Sequence, residues 1–147
     1  MLAGKLLDDY IPITMIDDIY NKDVLRLAAN IGGLEPLENP DAETSLRSPL
    51  CGSSIEIALN INGNVVTGYA QKIKACALGQ AAASVMADVV TGKSKDELQS
   101  VRDQIEAMLT TGAAAPDGEW AALAALAPAK DAKPRHGAIL LPFDAVL

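Results

Sequence analysis

Between Ser54 and Ile73 the chain alternates apolar and polar residues across an Asn62-Gly63-Asn64 turn, and nothing else in it constrains the fold as strongly. Ile55, Ile57, Leu59 and Ile61 alternate with Ser54, Glu56, Ala58 and Asn60. Val65, Thr67, Tyr69, Gln71 and Ile73 continue the period beyond the turn. Alternation with period 2 around an Asn-Gly pair predicts an antiparallel hairpin with one buried face. A weaker strand is expected before it, near Thr44–Leu50.

Helical patterns flank the hairpin. Ile16, Ile19 and Tyr20, then Val24, Leu25, Leu27, Ala28 and Ile31, follow helical spacing, with Asn21 as a cap between two short helices and Gly32-Gly33 ending the second. Pro12 interrupts any helix before them. The stretch GGLEPLENPDAET reads as an exposed connection. After Cys76 an Ala-rich helix runs to about Val90, with Leu78, Ala82, Val85 and Val89 on one stripe. Ser94 to Glu97 matches a capping box, and Leu98, Val101, Ile105 and Met108 mark the buried face of the helix it starts. Thr110–Asp117 reads as a loop, Trp120–Leu126 as a short helix, and the final apolar segment as a helix adapted to Pro142. Helix, two or three antiparallel strands, then helices make an α+β layer fold.

With 147 residues the chain is expected to form one domain, residues 1–147, in which residues 1–15 are an N-terminal extension of uncertain role. Aromatics are only 3%, so Leu, Ile, Val, Ala and Met must build the core. A net charge of −7 with no basic run argues against a nucleic-acid surface. No apolar run approaches the ~20 residues that span a bilayer. The first residues carry acids where a signal or transit peptide needs basic charge, so the expected location is cytoplasmic, with reduced thiols.

The hairpin also serves as a ruler for the only two cysteines. If Ile61 faces Asn64 or Val65, the register carried back places Cys51 opposite Lys74 or Ala75, beside Cys76. Directly opposed residues have Cβ atoms about 4.5–5.5 Å apart, and a bulge at Gly52 shifts this by a residue. Two thiols 25 positions apart are thereby expected to be neighbours. Cys76 stands where a strand gives way to a helix, and a helix N-terminus stabilises a thiolate, with Lys72 and Lys74 adding positive charge. His136, the only histidine, opens the C-terminal apolar segment after Lys133-Pro134-Arg135 and could fold over the pair. Two thiolates and an imidazole are suitable donors for zinc or iron.

These residues resemble a known family. Pro49-Leu50-Cys51-Gly52 and the run from Ile73 through Cys76 to Ser84 are similar to the two cysteine motifs of the iron–sulfur cluster scaffolds, the NifU N-terminal domain with its IscU and SufU relatives. Val90-Thr91-Gly92-Lys93-Ser94 is similar to the stop that follows the family's helix. The resemblance covers about residues 16–147 and lies in the combined spacing. It implies a small antiparallel three-stranded sheet packed against helices, the SufE/NifU-like form of the α+β class. It implies a non-enzymatic scaffold that binds iron or a [2Fe–2S] cluster, or zinc, through Cys51 and Cys76, with a cysteine desulfurase as sulfur donor and recipient apoproteins as clients.

Two departures stand out. The family's third cysteine begins the C-terminal helix, and here His136 or Gly137 takes that place, making His136 the substitute ligand. The family's Cys-Gly-Asp is Cys51-Gly52-Ser53, and the missing aspartate is associated with cluster lability and metal ligation. Leu126-Ala127-Pro128-Ala129-Lys130 only partly resembles the segment read by the cluster-transfer chaperone. The alternatives are a persulfide carrier using Cys76, a decayed zinc-binding relative, and a cysteine hydrolase, which needs a carboxylate behind His136.

Overall fold

The computed structural model describes residues 20–48 and 52–147. Helix α1, Lys22–Ala29, is capped by Asn21, whose side-chain oxygen accepts from the Val24 N–H at 2.9 Å, satisfying a donor the helix leaves open. The companion helix expected from Ile16 falls outside the described residues apart from Tyr20. Helix α1 ends at Asn30, before the two glycines. Gly33 has a different task. Its φ is 70°, its carbonyl accepts from the Gln71 N–H at 2.7 Å, and a Cβ there would stand 3.2 Å from the Tyr69 ring. The glycine pair is thus a seam between the first connection and the sheet.

Strands β1 (Ala42–Arg47), β2 (Ser54–Asn62) and β3 (Val65–Lys74) form one antiparallel sheet in the order β1-β2-β3. This is the three-stranded sheet the resemblance implied. The expected register needs correction. The closing pair is Asn62 with Val65, around a two-residue turn of Gly63 and Asn64. Gly63 has φ 66° and Asn64 does not have positive φ, as a turn with glycine at its first central position requires. A bulge then inserts Thr67, since Ile61 faces Val66 while Asn60 faces Gly68. A Cβ on Gly68 would stand 3.2 Å from that of Asn60. Beyond the bulge the register runs to Ser54 opposite Lys74. Lys74 therefore faces Ser54, two or three residues along from the partner the ruler gave it.

Helix α2, Ala77–Val89, follows β3 directly and ends near the expected Val90. Of the predicted stripe Leu78, Ala82 and Val85 are buried and Val89 is half-buried, and the cover extends beyond it to Gly79 and every residue from Ala81 to Met86. Its composition of small residues follows, because α1, β3, a 3-10 segment and the C-terminal helix all pack on it. Helix α3, Lys95–Thr111, starts with the predicted capping box and ends at Gly112 in the left-handed conformation. The predicted Leu98, Val101, Ile105 and Met108 are buried.

The short helix expected at Trp120–Leu126 is a longer 3-10 segment, Gly118–Asp131. Its buried residues Trp120, Leu123, Leu126 and Ala129 recur every third position, the period of a 3-10 helix. Helix α4, His136–Val146, closes the fold with Pro142 inside it. Proline has no N–H to offer the Ala138 carbonyl one turn back. That carbonyl lies instead against α2, 3.1 Å from where a Cβ on Gly79 would stand. A single apolar cluster runs from Val24 through the sheet face of Ile55, Ile57 and Leu59 to Phe143, whose ring lies 5.9 Å from that of Trp120.

Candidate metal centre

Cys76 is the N-cap residue of α2 and is half-buried. Its backbone is extended, and its carbonyl accepts the Gln80 N–H at 3.0 Å. The Gln80 side chain reaches back and donates to the Ala75 carbonyl, also at 3.0 Å. The strand-to-helix junction is thereby held from both sides, with the thiol at the positive end of the helix. Its side chain makes no capping bond to α2, which leaves the sulfur for other partners.

One of those is Tyr20. Its hydroxyl lies close enough to the Cys76 and Arg135 side chains for both to act on the phenol. Burial and then the Cys76 charge raise the Tyr20 pKa above the ordinary phenol value, against a downward pull from Arg135. Tyr20 is therefore a protonated hydroxyl at neutral pH. The sequence reading gave it only an apolar helical position. The signal available was its chemistry: an aromatic hydroxyl, in a chain with 3% aromatics, just before a helix cap.

His136 is the first residue of α4. Its Nε2 lies 2.9 Å from the Ala129 carbonyl oxygen. A carbonyl only accepts, so Nε2 is the donor, and in the neutral ring the lone pair is on Nδ1. Metal-binding histidines are held in this way, by donating the other ring N–H to a carbonyl or carboxylate. The group behind the ring is a main-chain carbonyl, whereas the hydrolase reading asks for a carboxylate. The α4 turn that bears His136 packs on the α2 turn that follows Cys76, where Ala138 meets Gly79. Arg135, next to His136, acts on the tyrosine beside Cys76. Cys76 and His136 thus open two helices whose first turns pack together.

Cys51 lies outside the described residues, and with it the expected pairing of the two thiols. Ser48 before it and Gly52 and Ser53 after it are described. The Ser48 N–H donates to the Ser53 carbonyl at 2.7 Å and the Gly52 N–H to the Ser48 carbonyl at 3.0 Å. Ser53, standing at the family's aspartate position, is 4% exposed. Ser48 lies against Gly137 in the first turn of α4. Among the described residues no three His, Cys, Asp or Glu side chains form a metal-holding group. The donors described are Cys76 and His136. Also among them, no helix is long and apolar enough to cross a membrane.

Fold and site define a small α+β domain that offers a cysteine and a histidine from two packed helix N-termini beside a three-stranded sheet. The chain belongs to the NifU-like N terminal domain family, whose model matches residues 19–132. That span holds both cysteines and stops short of His136. The crystal structure of a nitrogen-fixing NifU-like protein (N-terminal) from Brucella abortus is 46% identical, with a TM-score of 0.86 over 90% of this chain and 92% of that one. A putative iron–sulfur cluster assembly scaffold protein for the SUF system from Fervidobacterium islandicum AW-1 shares the fold, with a TM-score of 0.78 and 19% identity over 88% of this chain and 95% of that one. No curated protein matches the chain.

Proposed function

We propose that residues 1–147 form a single scaffold domain for iron–sulfur cluster assembly, in which Cys51, Cys76 and His136 hold iron or a [2Fe–2S] cluster. The observation that carries this is the His136 ring. Its Nε2–H is committed to the Ala129 carbonyl, which leaves Nδ1 as a donor in the turn packed beside Cys76. Family membership and the likeness to the Brucella abortus protein support the same reading. Two thiolates and one imidazole suit iron, iron–sulfur clusters and zinc alike.

The chain's own residues supply the binding. The N-terminus of α2 presents the Cys76 sulfur, and the Ala129 carbonyl orients the imidazole. The cluster is cargo, received as iron and as sulfur from a cysteine desulfurase and passed to apoproteins, so no group here is assigned a catalytic role. Chaperone recognition through Leu126–Lys130 finds no support. Leu126 and Ala129 are fully buried in the 3-10 segment, and the Ala129 carbonyl is engaged by His136.

Anaerobic purification followed by iron, zinc and acid-labile sulfide analysis tests the proposal. Iron and sulfide bound in equal amounts are expected after reconstitution. Protein that takes up sulfur as persulfide on Cys76 and never retains iron would replace the scaffold with a sulfur carrier.

A further inference from the structure

The first turn of α4 is held on three sides. Ala138 rests on Gly79 of α2, the His136 ring is bonded to Ala129, and Gly137 faces Ser48. At Gly137 the space a side chain would need is taken by the Ser48 hydroxyl. A Cβ there would overlap the Ser48 hydroxyl and stand 3.4 Å from the Ser48 Cβ. Ser48 is 7% exposed. Its backbone is pinned at both polar groups, by the Ser53 carbonyl and the Gly52 N–H, so the residue cannot retreat as a unit.

Local preference runs the other way. Inside a helix, alanine is favoured over glycine, and glycine at the second residue of α4 is not needed for a positive φ, since Gly137 has none. The close approach of Ser48 is the reason for glycine here. We infer that Ser48 and Gly137 form a matched seat for the first turn of α4, and that this seat positions the His136 imidazole for the metal site. Ser48 is a positioning residue in this account: it acts through His136, and the inference rests on reading His136 as a ligand. A Cβ at 137 must turn the buried Ser48 hydroxyl out of its place or lift the turn off Ser48, and in this account the lift carries the adjacent imidazole with it. Metal–ligand distances tolerate only about 0.2 Å, so a small lift is costly to binding.

The test uses four full-length proteins: wild type, Ser48→Ala, Gly137→Ala and the double variant. Two quantities are measured. One is affinity for Co2+, titrated anaerobically by its absorption bands. The other is solvent exchange of the His136 ring N–H in metal-free protein by NMR. Gly137→Ala is expected to weaken Co2+ binding about 10-fold or more, the range of changes that act through a ligand's supports, and to speed exchange of the ring proton. Removing the colliding oxygen should reverse both, returning the double variant to the level of Ser48→Ala. Gly137→Ala matching wild type in both quantities, or a loss that persists in the double variant, overturns the seat. Should Gly137→Ala fail to fold, refolding by Ser48→Ala supports the seat and continued failure refutes it. If wild type binds no Co2+, the metal reading fails, and the ring proton still decides the seat.

Discussion

The ring of His136 donates its Nε2–H to the backbone carbonyl of Ala129, 2.9 Å away and seven residues earlier. That bond joins the end of the 3-10 segment to the start of α4 and fixes which ring nitrogen keeps a lone pair. An imidazole held this way is a ready metal ligand. His136→Ala should reduce metal or cluster retention about 10-fold or more, read by equilibrium dialysis against a chelator. Unaltered retention would place the third donor elsewhere.

Tyr20 stands beside Cys76. Tyr20→Phe keeps the ring in its half-buried place and removes only the hydroxyl on which Cys76 and Arg135 act. The variant should stay within about 0.5 kcal/mol of wild type in stability. Cys76→Ser should lower the pH at which the Tyr20 phenol ionises, read by phenolate absorbance with Tyr20→Phe as the blank, because the Cys76 charge is one cause of its raised pKa. An unchanged Tyr20 titration would show that the cysteine does not act on the phenol.

A third expectation concerns alkaline pH. Burial raises the Tyr69 pKa well above its ordinary value of 10.0, and its hydroxyl donates to Gln71 Oε1 at 2.7 Å. With the folded value above the unfolded one, the stability this group contributes is intact below pH 10. It declines as pH rises from there toward the folded value, because only the unfolded chain ionises. Urea midpoints between pH 9 and 11 should fall more steeply for wild type than for Tyr69→Phe. Parallel curves would contradict this origin of alkaline sensitivity.

The sequence carried the secondary structure further than the register. The capping box at Ser94, the cap at Asn21 and the junction at Cys76 each depend on a few adjacent residues, and each forms as read. Register depends on a sum of small offsets. The turn closes one residue later than supposed, and Thr67 is inserted as a bulge, which reverses the side-chain parity between Val66 and Tyr69. Alternation alone does not reveal such an insertion, although Gly68, pressed under Asn60, marks it in retrospect. The 3-10 segment had a legible signal in Trp120, Leu123, Leu126 and Ala129, a period of three that helical templates of period 3.6 pass over. Tyr20 and Ser48 come beside Cys76 and Gly137 through contacts distant in sequence, which no local pattern records.

The central claim is that Cys51 and Cys76 serve one cluster together. Its direct measurement is anaerobic reconstitution with iron, cysteine and a desulfurase, followed by visible absorbance and sulfide analysis of wild type, Cys51→Ser and Cys76→Ser. Cluster ligation depends on the full donor set, and the core is built mainly from aliphatic residues, so both variants should stay folded. The account predicts equal and complete loss of cluster absorbance in each. A Cys51→Ser protein that loads as wild type does, or a wild type in which only Cys76 takes up sulfur and no iron is held, would contradict it.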